Sequence, residues 1–88
     1  MNAALALYAL LSTGEVDLHI AAEMTGEVGE IAYELRSLVR EADEYGWVAV
    51  EDATDVRERL TALWMAGVID EPEETSDRMG DFVRVVLA

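Results

Sequence analysis

The sequence predicts an all-α domain, a small bundle of long antiparallel helices that is completed by oligomerisation. Apolar residues recur at steps of three and four along most of the chain, which is the period of a helix with one buried face. A chain of 88 residues buries only about 60–65% of its unfolded surface, so it gains stability from a partner copy. Its hydrophobic content of 52% indicates a packed core rather than an acidic disordered tail. We therefore expect a single helical domain over residues 1–88.

Each helix of the first half is predicted from its apolar spacing and its end residues. The first covers residues 1–11, is rich in Ala and Leu, and ends before a Ser-Thr-Gly sequence that is typical of a helix C-terminus. The second is one long helix over Asp17–Ala42, with Asp17 as its N-cap. Gly26 and Gly29 lie inside it, and each costs about 0.8–1 kcal/mol relative to Ala. These two glycines require a close backbone contact, a kink or a helix boundary.

The second half of the chain predicts one further long helix. Trp47–Val50 is short, aromatic and β-branched, which favours an extended connector or a brief strand. A helix over Asp52–Gly67 follows, and we expect it to pack against the Asp17–Ala42 helix. Residues 70–77 predict a solvated polar loop, and Phe82–Leu87 fits either a strand or a short helix.

Composition and charge exclude several classes of function. The 19 acidic residues against six basic ones give a net charge of −13, which would repel both nucleic-acid phosphates and anionic membranes. The absence of Cys excludes disulfides, Cys-ligated zinc and a thiol nucleophile. No apolar run approaches the roughly 20 residues of a membrane span, and no basic segment precedes the first helix as in a signal peptide. We expect a cytoplasmic protein.

A ladder of carboxylates is the most informative motif. Glu23, Glu27, Glu30 and Glu34 are separated by three or four residues, so they project from one stripe of a helix. Like charges at this spacing destabilise a helix by a few tenths of a kcal/mol per pair. No basic residue of the same stripe neutralises them, whereas a divalent cation would.

A second pair of carboxylates, Asp52 and Asp55, lies at the start of the last predicted helix. Mg²⁺ prefers oxygen ligands and is commonly held by a few carboxylates together with substrate phosphates. If the two long helices pack antiparallel, this pair and Glu27 with Glu30 would surround one cavity. The spacing therefore predicts a magnesium site that no single helix could supply.

The segment Leu18–Ala32 resembles the first acidic motif of the MazG-like, all-α nucleoside triphosphate pyrophosphohydrolases. That motif is Glu-x-x-Glu, often written Gly-Glu-x-Gly-Glu, and Gly26-Glu27-Val28-Gly29-Glu30 matches it. The second motif, Glu-x-x-Asp, is approximated by Asp52-Ala53-Thr54-Asp55, with Asp in the first position.

The resemblance implies a Mg²⁺-dependent hydrolase with a nucleoside triphosphate as substrate. Glu27, Glu30, Asp52 and Asp55 would ligate the metal, whose bound water cleaves between the α and β phosphates to release a nucleoside monophosphate and pyrophosphate. Arg36 and Arg40 would contact phosphate. Glu23 or Glu34 would be an outer ligand or the general base.

Simpler interpretations exist for the same residues. The ladder also fits a solvated acidic face, and acids such as Asp52 and Asp55 stabilise a first helical turn without any metal. His19 is the only imidazole in a chain without Cys, so we expect a partly buried, hydrogen-bonded side chain rather than a zinc ligand.

A winged helix-turn-helix of α+β class is the alternative fold. Residues 20–26 would form its first helix and turn, Glu27–Leu38 its recognition helix, and Val68–Ala88 a wing hairpin. Glutamates on the recognition helix do not suit phosphates or base edges. This alternative therefore predicts an acidic or DNA-mimicking protein-interaction module without catalysis.

Overall fold

The protein is an α+β domain, and the prediction of an all-α bundle is wrong. The computed structural model describes residues 2–88, and within them four helices accompany one three-stranded antiparallel sheet. The helices are α1 (Ala3–Ser12), α2 (Leu18–Ala21), α3 (Gly26–Glu41) and α4 (Ala53–Met65). The strands are β1 (Trp47–Val50), β2 (Glu73–Asp77) and β3 (Gly80–Arg84).

The predicted helix over Asp17–Ala42 is broken into α2 and α3, and the two glycines explain the break. Gly26 has a φ of +86°, a left-handed conformation that glycine adopts without strain and that cannot continue a helix from α2. Gly29 is buried, and a Cβ there would overlap the Met24 carbonyl oxygen of the turn. The glycines therefore mark a helix boundary and a close backbone contact.

The sheet is built by an antiparallel hairpin and one earlier strand. β3 lies in the centre, with Trp47 of β1 opposite Arg84 and Glu73 of β2 opposite the same residue. Every residue of β2 is exposed, and its polar sequence lacks the alternation of apolar and polar residues that predicts a strand. The predicted loop over residues 70–77 is therefore wrong where β2 lies, while Trp47–Val50 is a strand.

The hairpin lies in the segment where the alternative fold placed a wing. In the chain, however, the hairpin follows α4, so β1 and α4 lie between it and α3, the helix that the alternative assigned to recognition. The first helix of the alternative, residues 20–26, is also displaced, because α2 ends at Ala21 and residues 22–25 form the turn.

The core lies between the helices and the inner face of the sheet. α1 packs against α2, α3 and α4, while α4 contacts β3. The largest fully buried side chains come from three helices and from the segments around the sheet: Leu7, Leu35, Leu60, Ile69 and Val83. This core holds the exposed sides of α3 and α4 in fixed positions. Among the described residues no helix is long and apolar enough to cross a membrane.

Candidate functional site: an acidic groove between two helices

The carboxylates of the predicted ladder divide into free and paired groups. Glu27 and Glu30 are exposed on α3, and neither forms an ion pair within residues 2–88. Glu23 lies in the turn before α3, and its Oε1 is 3.9 Å from His19 Nε2. Two free carboxylates of the ladder therefore lie in the N-terminal half of α3.

Glu34 is neutralised by an arginine of another helix. Arg59 of α4 donates from Nε to Glu34 Oε1 at 2.6 Å, and its Nη2 lies 3.5 Å from Asp55 Oδ2. The hydrogen bond to Glu34 raises the pKa of Arg59, and its proximity to the Asp55 carboxylate acts in the same direction. The guanidinium thus joins one glutamate of the ladder to one aspartate of the second carboxylate pair.

The other acid of the second motif caps a helix. Asp52 is the N-cap of α4, and its Oδ1 accepts the Thr54 amide at 2.9 Å. Asp81 of β3 accepts the neighbouring Ala53 amide through Oδ2, also at 2.9 Å. Two carboxylates therefore satisfy amides that the first turn of a helix leaves without intrahelical partners.

The residues implied as Mg²⁺ ligands do not form a cation cage. Across residues 2–88, no group of three or more His, Asp or Glu side chains is placed to hold a metal ion. Asp52 and Asp55 are engaged by the α4 amide and by Arg59, while Glu27 and Glu30 remain free. We therefore derive no step through a metal, and the pyrophosphohydrolase hypothesis stays a prediction from the sequence.

A groove of about 340 Å³ lies between α3 and α4. We call it the α3/α4 groove, and its lining comes from three helices: Ala4, Glu30, Ile31, Glu34, Glu58, Arg59, Ala62 and Leu63. Leu63 and Ala4 are buried, so the floor is apolar, while Glu30 and Glu58 are exposed and unpaired within the described chain. Because Arg59 is occupied by Glu34 and Asp55, the rim carries excess negative charge.

Arg36 and Arg40, the predicted phosphate contacts, lie together on α3 beside α2, and neither lines the α3/α4 groove. Their guanidinium groups both approach His19 of α2, from Arg36 Nη1 at 3.2 Å and from Arg40 Nη2 at 3.3 Å. His19 is hydrogen-bonded as expected, but it is exposed rather than partly buried. These three residues do not share a site with Glu30 and the α3/α4 groove.

Sequence reasoning missed Glu58 and Arg59 as site residues. Asp55 and Arg59 stand four residues apart, a spacing at which oppositely charged side chains pair on a helix. That spacing was a usable signal for the intrahelical contact. The contact with Glu34 carried no such signal, because it depends on how α3 and α4 are placed by the core.

Comparison with protein-family models, with curated proteins and with solved structures gives no match for this chain.

Proposed function

We propose that the domain is a non-catalytic protein-interaction module whose α3/α4 groove binds a basic side chain of a partner protein. The single observation that carries this proposal is the combination of an apolar floor with an acidic, unpaired rim at Glu30 and Glu58. Arg and Lys side chains have the matching chemistry, since an aliphatic stem precedes their charged end.

The charge of the groove supports a cationic ligand over an anionic one. Glu27 lies one turn before Glu30 on α3 and is likewise exposed and unpaired among residues 2–88. Together with a net charge of −13, these groups steer positively charged partners and repel phosphate backbones. We therefore propose a protein partner and no direct binding of nucleic acid.

The test is a titration with a short arginine-rich peptide, followed by fluorescence anisotropy. Glu30→Gln/Glu58→Gln should weaken binding about tenfold, because two charge-assisted contacts are lost. The matched control is Glu44→Gln/Glu51→Gln, which removes the same charge from exposed positions outside the groove. Equal weakening in both variants would mean that the peptide responds only to net charge.

We further propose that the outer side of α1 joins two copies of the chain, which is one form of the oligomerisation that the sequence predicts. Leu5 and Tyr8 are 53% and 44% exposed, and Met65 at the end of α4 is 78% exposed. The Tyr8 ring lies against Gly67, two residues after Met65, so exposed apolar side chains of α1 lie near the end of α4. α1 contains no charged residue, and a second copy of so acidic a chain meets least repulsion there.

A further inference from the structure

The outer edge of β2 is an open side of the sheet. Because β3 lies between β1 and β2, β2 pairs with another strand on one side only. Within residues 2–88, no backbone hydrogen bond joins β2 to any residue outside β3. In an antiparallel pair, every second residue directs its N–H and C=O away from the partner strand. The edge of β2 therefore presents a row of backbone groups that can pair with a further strand.

The opposite edge of the sheet, on β1, is partly closed by the chain itself. The Trp47 amide donates to Asp43 Oδ1 at 3.0 Å, and the Trp47 carbonyl accepts from the Asp43 amide at 2.9 Å. The first residue of β1 is therefore already paired on its outer side, which leaves β2 as the more accessible edge.

A cavity of about 310 Å³ lies between α4 and the first half of β2. Leu60 and Val83 line it and are almost fully buried, while Trp64 lines it and is 41% exposed. Pro72, just before β2, adds a half-buried ring to the lining. We call this cavity the α4/β2 pocket, and its lining suits a large apolar side chain that enters from the edge of the sheet.

The two faces of β2 differ in chemistry. Glu74 lies opposite Val83 in the register, and opposite residues share a face, so Glu74 is on the α4 side, where it pairs with Arg57. Glu73 and Asp77 lie on the other face, because side chains alternate along a strand. A strand added beside β2 would therefore direct one set of side chains towards the α4/β2 pocket and the other set towards two carboxylates.

From this arrangement we infer that the outer edge of β2 binds an extended segment of another protein in which basic and apolar residues alternate. Backbone hydrogen bonds to β2 supply affinity, and the alternate side chains supply specificity. Residues 70–77 contain five acidic residues and no basic one, so basic residues of the partner meet opposite charge across the strands. A second copy of the chain is disfavoured, because antiparallel pairing centred on Thr75 would place Glu73 opposite Asp77, and like charges there repel.

This surface is separate from the α3/α4 groove, because the two share no lining residue. The groove requires only a basic side chain, whereas the edge of β2 also requires free backbone groups and alternating apolar residues. An arginine-rich peptide without apolar residues should therefore leave the exchange of the β2 amides unchanged. Either surface can fail its test without the other.

The test is amide hydrogen exchange of the full chain, followed by NMR, with a short peptide that alternates arginine and valine. Alternate amides of β2 should exchange about tenfold more slowly when this peptide is bound, and those of β1 should not change. The effect should persist in Glu30→Gln/Glu58→Gln, which removes the free carboxylates of the groove. Unchanged exchange in β2, or loss of the effect in this variant, would overturn the inference. Slow exchange that depends on protein concentration without peptide would show pairing of two copies and would overturn the choice of partner.

Methylated peptides separate strand addition from attraction by charge. One form carries N-methyl groups on its valines and the other on its arginines, so each lacks the amide donors of one edge only. Because only one edge of an added strand faces β2, one form should lose about tenfold in affinity while the other stays within about twofold of the parent peptide. Equal effects of the two methylations would contradict strand addition.

Trp64→Leu tests the α4/β2 pocket. Loss of the ring should weaken binding of the alternating peptide about fivefold, because less apolar surface is buried. The matched control is Tyr45→Leu, which removes a ring that is 66% exposed and lies outside the pocket and should change affinity less than about twofold. Equal affinities of Trp64→Leu and Tyr45→Leu would contradict the role of the pocket. The methylated peptides are measured on the wild type, so they decide the question even if Trp64→Leu does not fold.

Discussion

Arg59 donates a hydrogen bond from Nε to Glu34 Oε1 at 2.6 Å, and this contact connects α4 to the acidic side of α3. Glu34 and Arg59 are far apart in the sequence, and the spacing of the ladder glutamates predicted that a divalent cation would neutralise their charge. In the folded chain, the guanidinium of Arg59 on the neighbouring helix neutralises one of these glutamates, Glu34. Glu27 and Glu30 stay free, and Glu30 makes the rim of the groove acidic together with Glu58.

The Glu34–Arg59 contact should contribute modestly to stability. Both side chains are about two-fifths exposed, so the pair belongs with surface ion pairs of about 0–1 kcal/mol. Glu34→Gln and Arg59→Gln should each lower the free energy of unfolding by about 0.5 kcal/mol. A double-mutant cycle in urea, with Arg84 and Glu73 as a second exposed pair for comparison, measures the coupling. A coupling energy of zero would mean that the contact has no energetic role.

Gly29→Ala should destabilise the protein strongly, although helix propensity alone predicts a gain of about 1 kcal/mol. The new Cβ would overlap the backbone of Met24, and relief requires α2 and α3 to separate, at a cost of about 3 kcal/mol. The free energy of unfolding, from urea denaturation, measures the change. Gly14→Ala is the control, because Gly14 has a positive φ but open space around it, so the loss should be only about 1 kcal/mol. A stabilised Gly29→Ala variant would refute the break between α2 and α3.

Asp81 should make stability depend on pH in the acidic range. The Ala53 amide, and then the Ser76 hydroxyl, donate hydrogen bonds that lower the pKa of this carboxyl below its usual range. The folded state therefore binds the proton less readily than the unfolded state. The stabilisation should be complete above the unfolded pKa of about 3.9 and should be lost as the pH falls through the lower folded pKa.

The comparison of wild type with Asp81→Asn isolates this carboxylate. At neutral pH the variant should melt at a lower temperature, because Asn is a weaker acceptor for the α4 amide. The difference in Tm should shrink as the pH falls below the unfolded value. A difference in Tm that stays constant from neutral pH to strong acid would contradict the role of the charge.

Magnesium should not stabilise the protein through Glu27 and Glu30 alone. No ready cation cage is present in the described chain, so Mg²⁺ should act as a diffuse counterion. The increase in Tm with Mg²⁺ should then be the same in Glu27→Gln/Glu30→Gln as in Glu44→Gln/Glu51→Gln. A Mg²⁺ effect abolished only in the first variant, together with release of pyrophosphate from a nucleoside triphosphate, would favour the hydrolase hypothesis instead.

Leu5→Glu should disrupt self-association through α1. A carboxylate among the exposed apolar side chains of α1 would face its own copy across the interface, where like charges repel and are poorly solvated. Sedimentation at micromolar concentration should show a dimer for the wild type and a monomer for the variant. A monomeric wild type at these concentrations would contradict the proposal for α1.

The sequence supported part of the fold, and the failures have physical causes. α4 matches the predicted Asp52–Gly67 helix because its cap and apolar spacing are local signals. The break at Gly26 depends on a positive φ that composition cannot reveal. β2 was missed because an exposed edge strand needs only backbone pairing with β3 and shows no apolar alternation.

Only those features of the candidate site that depend on residues close together in the sequence could be predicted. The spacing of Glu27 and Glu30 placed them on one helix, where the structure has them exposed. Predicting the groove would have required knowing that Glu58 of α4 and Glu30 of α3 lie on one groove, which depends on how the buried core places the two helices rather than on any local pattern. For the same reason, His19 could not be assigned to Arg36 and Arg40 from the sequence.

The most direct test of the central claim is an NMR map of the arginine-rich peptide on the protein. Amide shifts confined to the lining of the α3/α4 groove, and abolished in Glu30→Gln/Glu58→Gln but retained in Glu44→Gln/Glu51→Gln, are the result we predict. Shifts spread evenly over all exposed acidic residues, including those of β2, would contradict it.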